Sequence, residues 1–270
     1  PRRYRDYVAW REGQDLARAE RFWRDALAGV AGPTPLPLVR PARPAAVHRH
    51  GETKLELAEE ATRAVLEAAR AAGVTASTMV QGAWALLLSR YAGDEDVLFG
   101  ATVSGRPAEL PGVEEMVGLF INSLPVRVRV DGRAAVGAWL AGLQEAQARA
   151  REFEHTPLAE VQRWSGVPAS EGLFDSLVVF ENYPIDEALG EAVQGLRVRG
   201  SLSLEQVDYP LVLTAKAGAR LELLLGFDRG RLDPGAARRL VEQLATALEG
   251  LAADPGRRLA DVPLAREAER

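Results

Sequence analysis

The sequence predicts an α/β fold, in the looser α+β sense: a mixed sheet packed with helices. Three observations predict it. About six segments carry apolar residues at the i, i+3, i+4 spacing of a helix buried along one face. Six or seven short segments alternate, or run apolar, as strands do. The two kinds intermingle without a strict strand–helix–strand rhythm, which favours a mixed sheet over a purely parallel one. The 270 residues are 47% hydrophobic and 26% charged, a balance that allows a buried core and argues against disorder. Length alone allows one large or two small domains.

Taken in order, residues 5–27 read as one amphipathic leading helix, with Leu16, Ala19, Phe22, Trp23, Ala26 and Leu27 on its apolar side and Gly29 and Gly32 stopping it. Five prolines between residues 31 and 44 predict an extended connector over the surface, reaching residue 51. Residues 53–57 alternate as a strand. Residues 59–72 form a helix ended by Gly73. Residues 75–91 form the next, capped by Thr75 or Ser77, with a broad apolar face around Met79, Val80, Trp84, Leu87 and Leu88.

Residues 95–103 are a mostly apolar run, read as a central strand, and a Gly/Pro-rich loop follows to residue 112. Residues 119–130 end with Val126, Val128 and Val130 alternating against Arg127 and Arg129, a half-exposed strand. Residues 134–153 are a long helix. Residues 157–164 are a short one, with Pro157 suited to its first turn. Residues 175–182 are a strand and residues 196–204 alternate. Residues 211–217 and 220–227 flank Gly218 as a hairpin. Residues 234–251 are the last helix, with Asp233 as its cap, and a short tail closes the chain.

Composition excludes several functions. Thirty-three basic and 38 acidic residues leave a net charge of −5, no footprint for nucleic acid. No apolar run reaches the roughly 18 residues of a membrane span. The absence of cysteine excludes disulfides, thiol catalysis and Cys-based zinc sites. No basic-then-apolar leader is visible, so a cytoplasmic location is expected, and a start at Pro1 suggests a piece of something longer.

Chemistry-bearing residues are few. His48 and His50 straddle Arg49 and in a strand would share a face, but no third ligand lies nearby, so no metal site is expected. His155, between the long helix and Pro157, is either a general base or a solvent-facing or capping histidine. Phosphate loops, dinucleotide fingerprints and the nucleophile elbow are absent. Ser104 ends a strand with no base identified for it. Glu59–Glu60 and Glu114–Glu115 sit at helix starts, where acids suit the dipole. Trp10, Trp23, Trp84 and Trp139 lie on helix faces and read as core. No catalytic constellation emerges from these residues alone.

Several segments together carry a resemblance. Tyr4-Arg5-Asp6-Tyr7-Val8-Ala9-Trp10 resembles a Y-x-D-Y-x-x-W motif. Val117-Gly118-Leu119-Phe120-Ile121-Asn122-Ser123-Leu124-Pro125-Val126-Arg127 resembles G-x-F-V-N-T-L-x-x-R. The turn Ser104-Gly105-Arg106-Pro107, the segment His155-Thr156-Pro157-Leu158, the run from Leu173 to Pro184 and the tail from Leu259 to Arg270 fall in matching order. These are segments of the condensation domain of non-ribosomal peptide synthetases, which the chain resembles over nearly its whole length.

The resemblance implies a chloramphenicol-acetyltransferase-like fold of two lobes with a tunnel between them, where a carrier-bound amine attacks a carrier-bound thioester. It implies that residues 1–258 are the C-terminal lobe and that residues 259–270 begin a linker toward an adenylation domain. The family's H-H-x-x-x-D-G is absent, so no catalytic residue is assigned in this chain and it is expected to be inactive alone. Asn122, Ser104 and Gly118 are the implied tunnel residues. Tyr4, Asp6, Trp10 and Arg106 are implied structural motif residues, Arg106 as half of an ion pair. The implied partners are peptidyl carrier domains, the adenylation domain and the missing N-terminal lobe, with no nucleic acid and no membrane. No covalent cofactor is implied, only the phosphopantetheine arm as substrate carrier. The alternatives are a non-catalytic interaction module, an epimerisation or cyclisation relative, and an acyltransferase using free coenzyme A. A lobe without its partner is expected to expose an apolar face, and so to dimerise or dissolve poorly.

Overall fold

The computed structural model describes residues 2–41, 50–181 and 209–265. Along the chain lie α1 (Tyr4–Glu12), α2 (Leu16–Ala26), β1 (His50–Glu56), α3 (Glu59–Ala71), α4 (Ala76–Ala92), β2 (Asp96–Val103) and β3 (Asn122–Arg129). There follow α5 (Val136–Arg151), α6 (Leu158–Ser165), β4 (Ser176–Glu181), β5 (Leu211–Lys216), β6 (Glu222–Asp228) and α7 (Pro234–Ala253). The strands make one mixed sheet in the order β1-β6-β5-β4-β2-β3. β4 runs parallel to both β2 and β5, and the other pairs are antiparallel.

Strand alternation sorts the core into two layers. Val97, Phe99, Val178, Leu211, Leu213, Leu223 and Leu225 join Trp84, Leu240, Leu244 and Leu248 of α4 and α7 on one face. Leu98, Leu124, Leu177 and Val212 join Trp23 of α2 and Val161 and Trp164 of α6 on the other. Both faces are covered, which is why β2, β4 and β5 read as apolar runs rather than clean alternations. α4 follows from this placement. Its residues from Thr78 to Ser89 are all buried, so it is a helix buried all round.

The leading segment is two helices, not one. Gly13 closes α1 by donating to the carbonyls of Ala9 and Trp10, and the Asp15 carboxylate caps α2 by accepting from the Arg18 amide at 2.9 Å. Periodicity persists across such a break, so it is invisible to a pattern of apolar spacing. The described part of the connector is not merely a surface crossing. Leu36 is buried, and the Thr34 hydroxyl accepts from the Leu98 amide at 2.6 Å. Pro157 stands at the cap of α6, one residue ahead of its first turn. The tail beyond residue 258 starts inside the packed unit: Leu259 and Val262 are core residues, and Arg90 donates to the carbonyls of Leu259 and Ala260 at 3.0 and 2.9 Å. The alternating stretch 196–204 and His48 lie outside the described residues.

Candidate functional site

β3 is an edge strand, and α5 crosses past it. The first half of α5 puts Leu140 and Leu143 into one core layer, and Ala150 at its end, with Phe153 in the turn that follows, packs against the other. Between them lies a cleft of about 1330 Å³. Its floor includes Leu124 to Arg127 of β3 and Ala101 to Ser104 at the end of β2. Its walls are α5 on one side and α1–α2 on the other, with Trp10 and Phe22 facing in.

Around His155 the cleft wall is polar and the ring itself is buried. The ring is 9% exposed, lines the cleft and stands edge-on to Trp10 with centroids 5.5 Å apart. Its buried Nε2 has no hydrogen-bond partner among the described residues. Burial pushes the imidazole below its usual pKa, with the Glu109 carboxylate opposing. Burial pushes the neighbouring Glu154 carboxyl up; Arg151 pulls it down and Glu109 reinforces the rise. Asn122 brackets this position. Its Nδ2 donates to the Glu154 carbonyl at 2.9 Å and to the Thr156 carbonyl at 2.7 Å, one residue either side of His155.

The loop before β3 is held by an aromatic platform on α1. Tyr4 donates its hydroxyl to the Leu119 carbonyl at 2.5 Å, and Phe120 packs edge-on against Tyr4 and Tyr7 at 5.1 and 4.7 Å. Gly118 is required because the Tyr4 ring comes within 2.1 Å of where a Cβ would stand. The neighbour that demands a glycine is thus a ring of the chain itself, and Gly118, implied as a tunnel residue, is not among the residues lining the cleft. Arg106 is held by backbone and ring contacts, and among the described residues it makes no ion pair. Its guanidinium donates to the carbonyls of Val113 and Met116 and lies 4.2 Å over the Phe120 ring. With Phe120 turned inward, Val117, Leu119 and Ile121 point outward and are 92%, 76% and 64% exposed.

The remaining sequence-predicted residues divide plainly. Ser104 is exposed and lines the cleft. Asn122 is not among the lining residues and is engaged by the loop. Asp6 lies in the first turn of α1, 3.9 Å from Arg5. Trp10 is half-buried, packing against the small core cluster around Tyr7 and Phe120 while also lining the cleft, whereas Trp23 and Trp84 are fully buried in the core. Trp139, also half-buried, donates to the Arg129 carbonyl at 2.8 Å. His50 pairs with Glu52 at 2.7 Å, and among the described residues no group of three or more His, Asp or Glu side chains is placed to hold a metal. No single described helix is long and apolar enough to cross a membrane. Sequence reasoning missed Ser77, Gln81 and Gln147, which line the cleft. The signal for Gln81 was a polar residue inside an otherwise apolar helix.

A Condensation domain family model matches residues 1–270. A linear gramicidin synthase of Brevibacillus parabrevis is 43% identical over 271 residues, covering 100% of this chain and 5% of that protein. The complex of the X-domain and OxyB from teicoplanin biosynthesis is similar with a TM-score of 0.81 at 26% identity, over 98% of this chain and 61% of that one. The first condensation domain of the calcium-dependent antibiotic synthetase, solved with a substrate analogue, is similar with a TM-score of 0.75 at 20% identity, over 96% and 56%. The chain thus spans a small fraction of the curated relative and somewhat more than half of these solved chains. The fold is of the chloramphenicol-acetyltransferase-like class.

Proposed function

The chain belongs to the condensation-domain family, and from that premise we propose that it forms one wall of the tunnel in which a carrier-bound amine attacks a carrier-bound acyl or peptidyl thioester. The carrying observation is the cleft along the β3 edge. Its volume, about 1330 Å³, exceeds the roughly 300–1,000 Å³ of a single small-ligand pocket and suits two chain-tethered substrates. The outward strip of Val117, Leu119 and Ile121 beside it suits a covering half-domain. Peptidyl carrier domains and an adenylation domain are the partners of this reading.

In the reaction the amine nitrogen bonds to the thioester carbon, the C–S bond breaks, and the thiol leaves with a proton. Most of the acceleration in such a site is positioning, since two tethered reactants reach high effective concentration when held in line. On this reading the active-site histidine, a base or a positioning group for the amine, belongs to the H-H-x-x-x-D-G of the other lobe, and this lobe is inactive alone. Ser104 contacts substrate from the cleft floor. Asn122 is a positioning residue, acting through the backbone on either side of His155. The phosphopantetheine arm suits a wall that carries side-chain amides (Gln14, Gln81 and Gln147), and it supplies the thioester.

A second reading, a non-catalytic module that docks a partner protein, is favoured by the 26% likeness to the teicoplanin X-domain solved with OxyB. Crosslinking tests the first reading. The chain has no cysteine, so Ser104→Cys places one thiol in the cleft and Glu56→Cys one on the far edge strand. A carrier protein loaded with a chloroacetyl-pantetheine arm is expected to label Cys at position 104 and not at position 56. Equal labelling, or none at 104, contradicts the tunnel.

A further inference from the structure

Ser77, Gln81 and Gln147 form a polar row on the cleft wall where α4 meets α5. The Gln147 Nε2 donates to the Gln81 Oε1 at 3.0 Å, and the Gln81 Nε2 donates to the Ser77 Oγ at 3.1 Å. Behind the row, the Thr78 hydroxyl lies 2.8 Å from the Gln147 Oε1 and 2.6 Å from the Gln144 Oε1. The amides are therefore oriented by a fixed chain of bonds. The chain also leaves capacity unspent. Each glutamine Nε2 carries a second N–H, and the Ser77 hydroxyl, which accepts from Gln81, still has its own hydrogen to donate.

Gln81 is 8% exposed, on a helix whose neighbouring positions Met79, Val80, Ala83 and Trp84 are almost wholly buried and apolar. The Thr78 hydroxyl, with one hydrogen to share between Gln144 and Gln147, already ties α4 to α5, as does the Thr75 amide on the Gln144 Oε1 at 3.0 Å. Two further groups extend the row along the wall, beside the apolar Leu143 and Ala146. A wall of neutral donors and acceptors next to apolar side chains, with no charge in the row, matches a secondary amide with a short apolar flank. It does not match a phosphate, a carboxylate or a bare hydrocarbon.

We infer that the Ser77–Gln81–Gln147 row binds secondary amides of the thioester substrate. This rests on the proposed reading of the cleft as a thioester tunnel. Such amides have two sources, the backbone of a peptidyl donor and the pantetheine arm itself. The row holds either one in extended geometry, because consecutive amides along an extended chain meet consecutive donors.

Calorimetric titration of the full chain tests it, with four soluble probes: dipeptidyl and octanoyl thioesters, each on pantetheine and on mercaptoethanol. Gln81→Met keeps side-chain length and removes the amide. Ser77→Ala removes only the unspent hydroxyl and leaves the Thr78 bonds between α4 and α5 in place. Loss of one neutral hydrogen bond is expected to weaken binding about five-fold. Weakening confined to the dipeptidyl probes supports the row with peptide backbone as its ligand. Weakening confined to the pantetheine probes supports it with the carrier arm. In both cases octanoyl-mercaptoethanol, which has no amide, binds the variants as it binds the unaltered chain. Variants that bind all four probes unchanged, or all four equally weakly, overturn the row. Failure of the unaltered chain to bind any probe overturns the tunnel reading and the row with it, and that result is distinguishable because it needs no variant.

Discussion

Arg127 on β3 grips Asp96 on β2 through two nitrogens, with Nε 2.9 Å from Oδ1 and Nη2 2.6 Å from Oδ2. The third nitrogen, Nη1, donates to the carbonyls of Ala26 and Ala28 at 3.2 and 2.8 Å. One side chain thus ties the sheet edge beneath the cleft to the end of α2. Arg127→Lys keeps the charge and loses the fork and the carbonyl bonds. It is expected to cost about 1–2 kcal/mol, read as a thermal midpoint lower by roughly 2–8 °C. Asp96→Asn is expected to cost less, because the pair is partly solvated. Arg127 holds the Asp96 carboxyl below its usual pKa. Its contribution is therefore present above the unfolded value and is lost as pH falls through the lower folded one.

Gly105 and Gly29 make a controlled comparison. Both have positive φ, +63° and +81°, but a Cβ on Gly105 would stand 1.8 Å from the Phe120 carbonyl oxygen while nothing lies within 4 Å at Gly29. Gly29→Ala is expected to cost about 1 kcal/mol, the left-handed penalty alone. Gly105→Ala is expected to cost more than about 3 kcal/mol by chemical denaturation, because backbone must move.

Asn122→Leu leaves the Glu154 and Thr156 carbonyls without their shared donor. A loss of about 1–3 kcal/mol is expected. Faster hydrogen exchange should be confined to residues around 152–158 and the start of β3 if the amide acts as a clamp.

The His155–Glu154 pair predicts opposed pH dependences. The folded pKa of His155 is depressed, so the unfolded chain binds more protons and stability is lost as pH falls from about 6.5 toward the lower folded value. The folded pKa of Glu154 is raised, so its contribution is present below the unfolded value and is lost as pH rises through the folded one. Thermal midpoints measured from pH 7.5 to 5 should therefore fall less steeply on acidification in His155→Phe, and more steeply in Glu154→Gln, than in the unaltered chain.

The outward strip predicts self-association. Replacing Val117, Leu119 and Ile121 with serine is expected to convert a concentration-dependent oligomer into a monomer by sedimentation and to reduce apolar dye binding. An unaltered chain that is monomeric and binds no dye contradicts this.

The fold was largely legible because burial imposes periodicity. α3, α4, α7 and the strands β2, β5 and β6 stand within a few residues of their expected ends. The helix break at Gly13 to Asp15 was not, since apolar spacing continues across it. Nor was the docking of Thr34 on Leu98, because a proline-rich pattern says how a segment is extended and not what it lies against. The candidate site was legible only as motifs. Asn122 and Gly118 were singled out, but their contacts, with the loop around His155 and with the Tyr4 ring, are long-range packing that sequence spacing cannot encode. Gln81 and Gln147 were missed because a lone glutamine on a helix carries no pattern until a second helix aligns with it.

The most direct test of the central claim is complementation. The chain would be mixed with an N-terminal condensation lobe carrying H-H-x-x-x-D-G, together with a donor carrier bearing an acyl or peptidyl thioester and an acceptor carrier bearing an amine. Mass spectrometry of the acceptor carrier is expected to show an amide product when both lobes are present and none with either alone. Absence of product with a lobe that demonstrably binds the chain would contradict the account and favour a docking module. Turnover of free acyl-coenzyme A by this chain alone would contradict it as well.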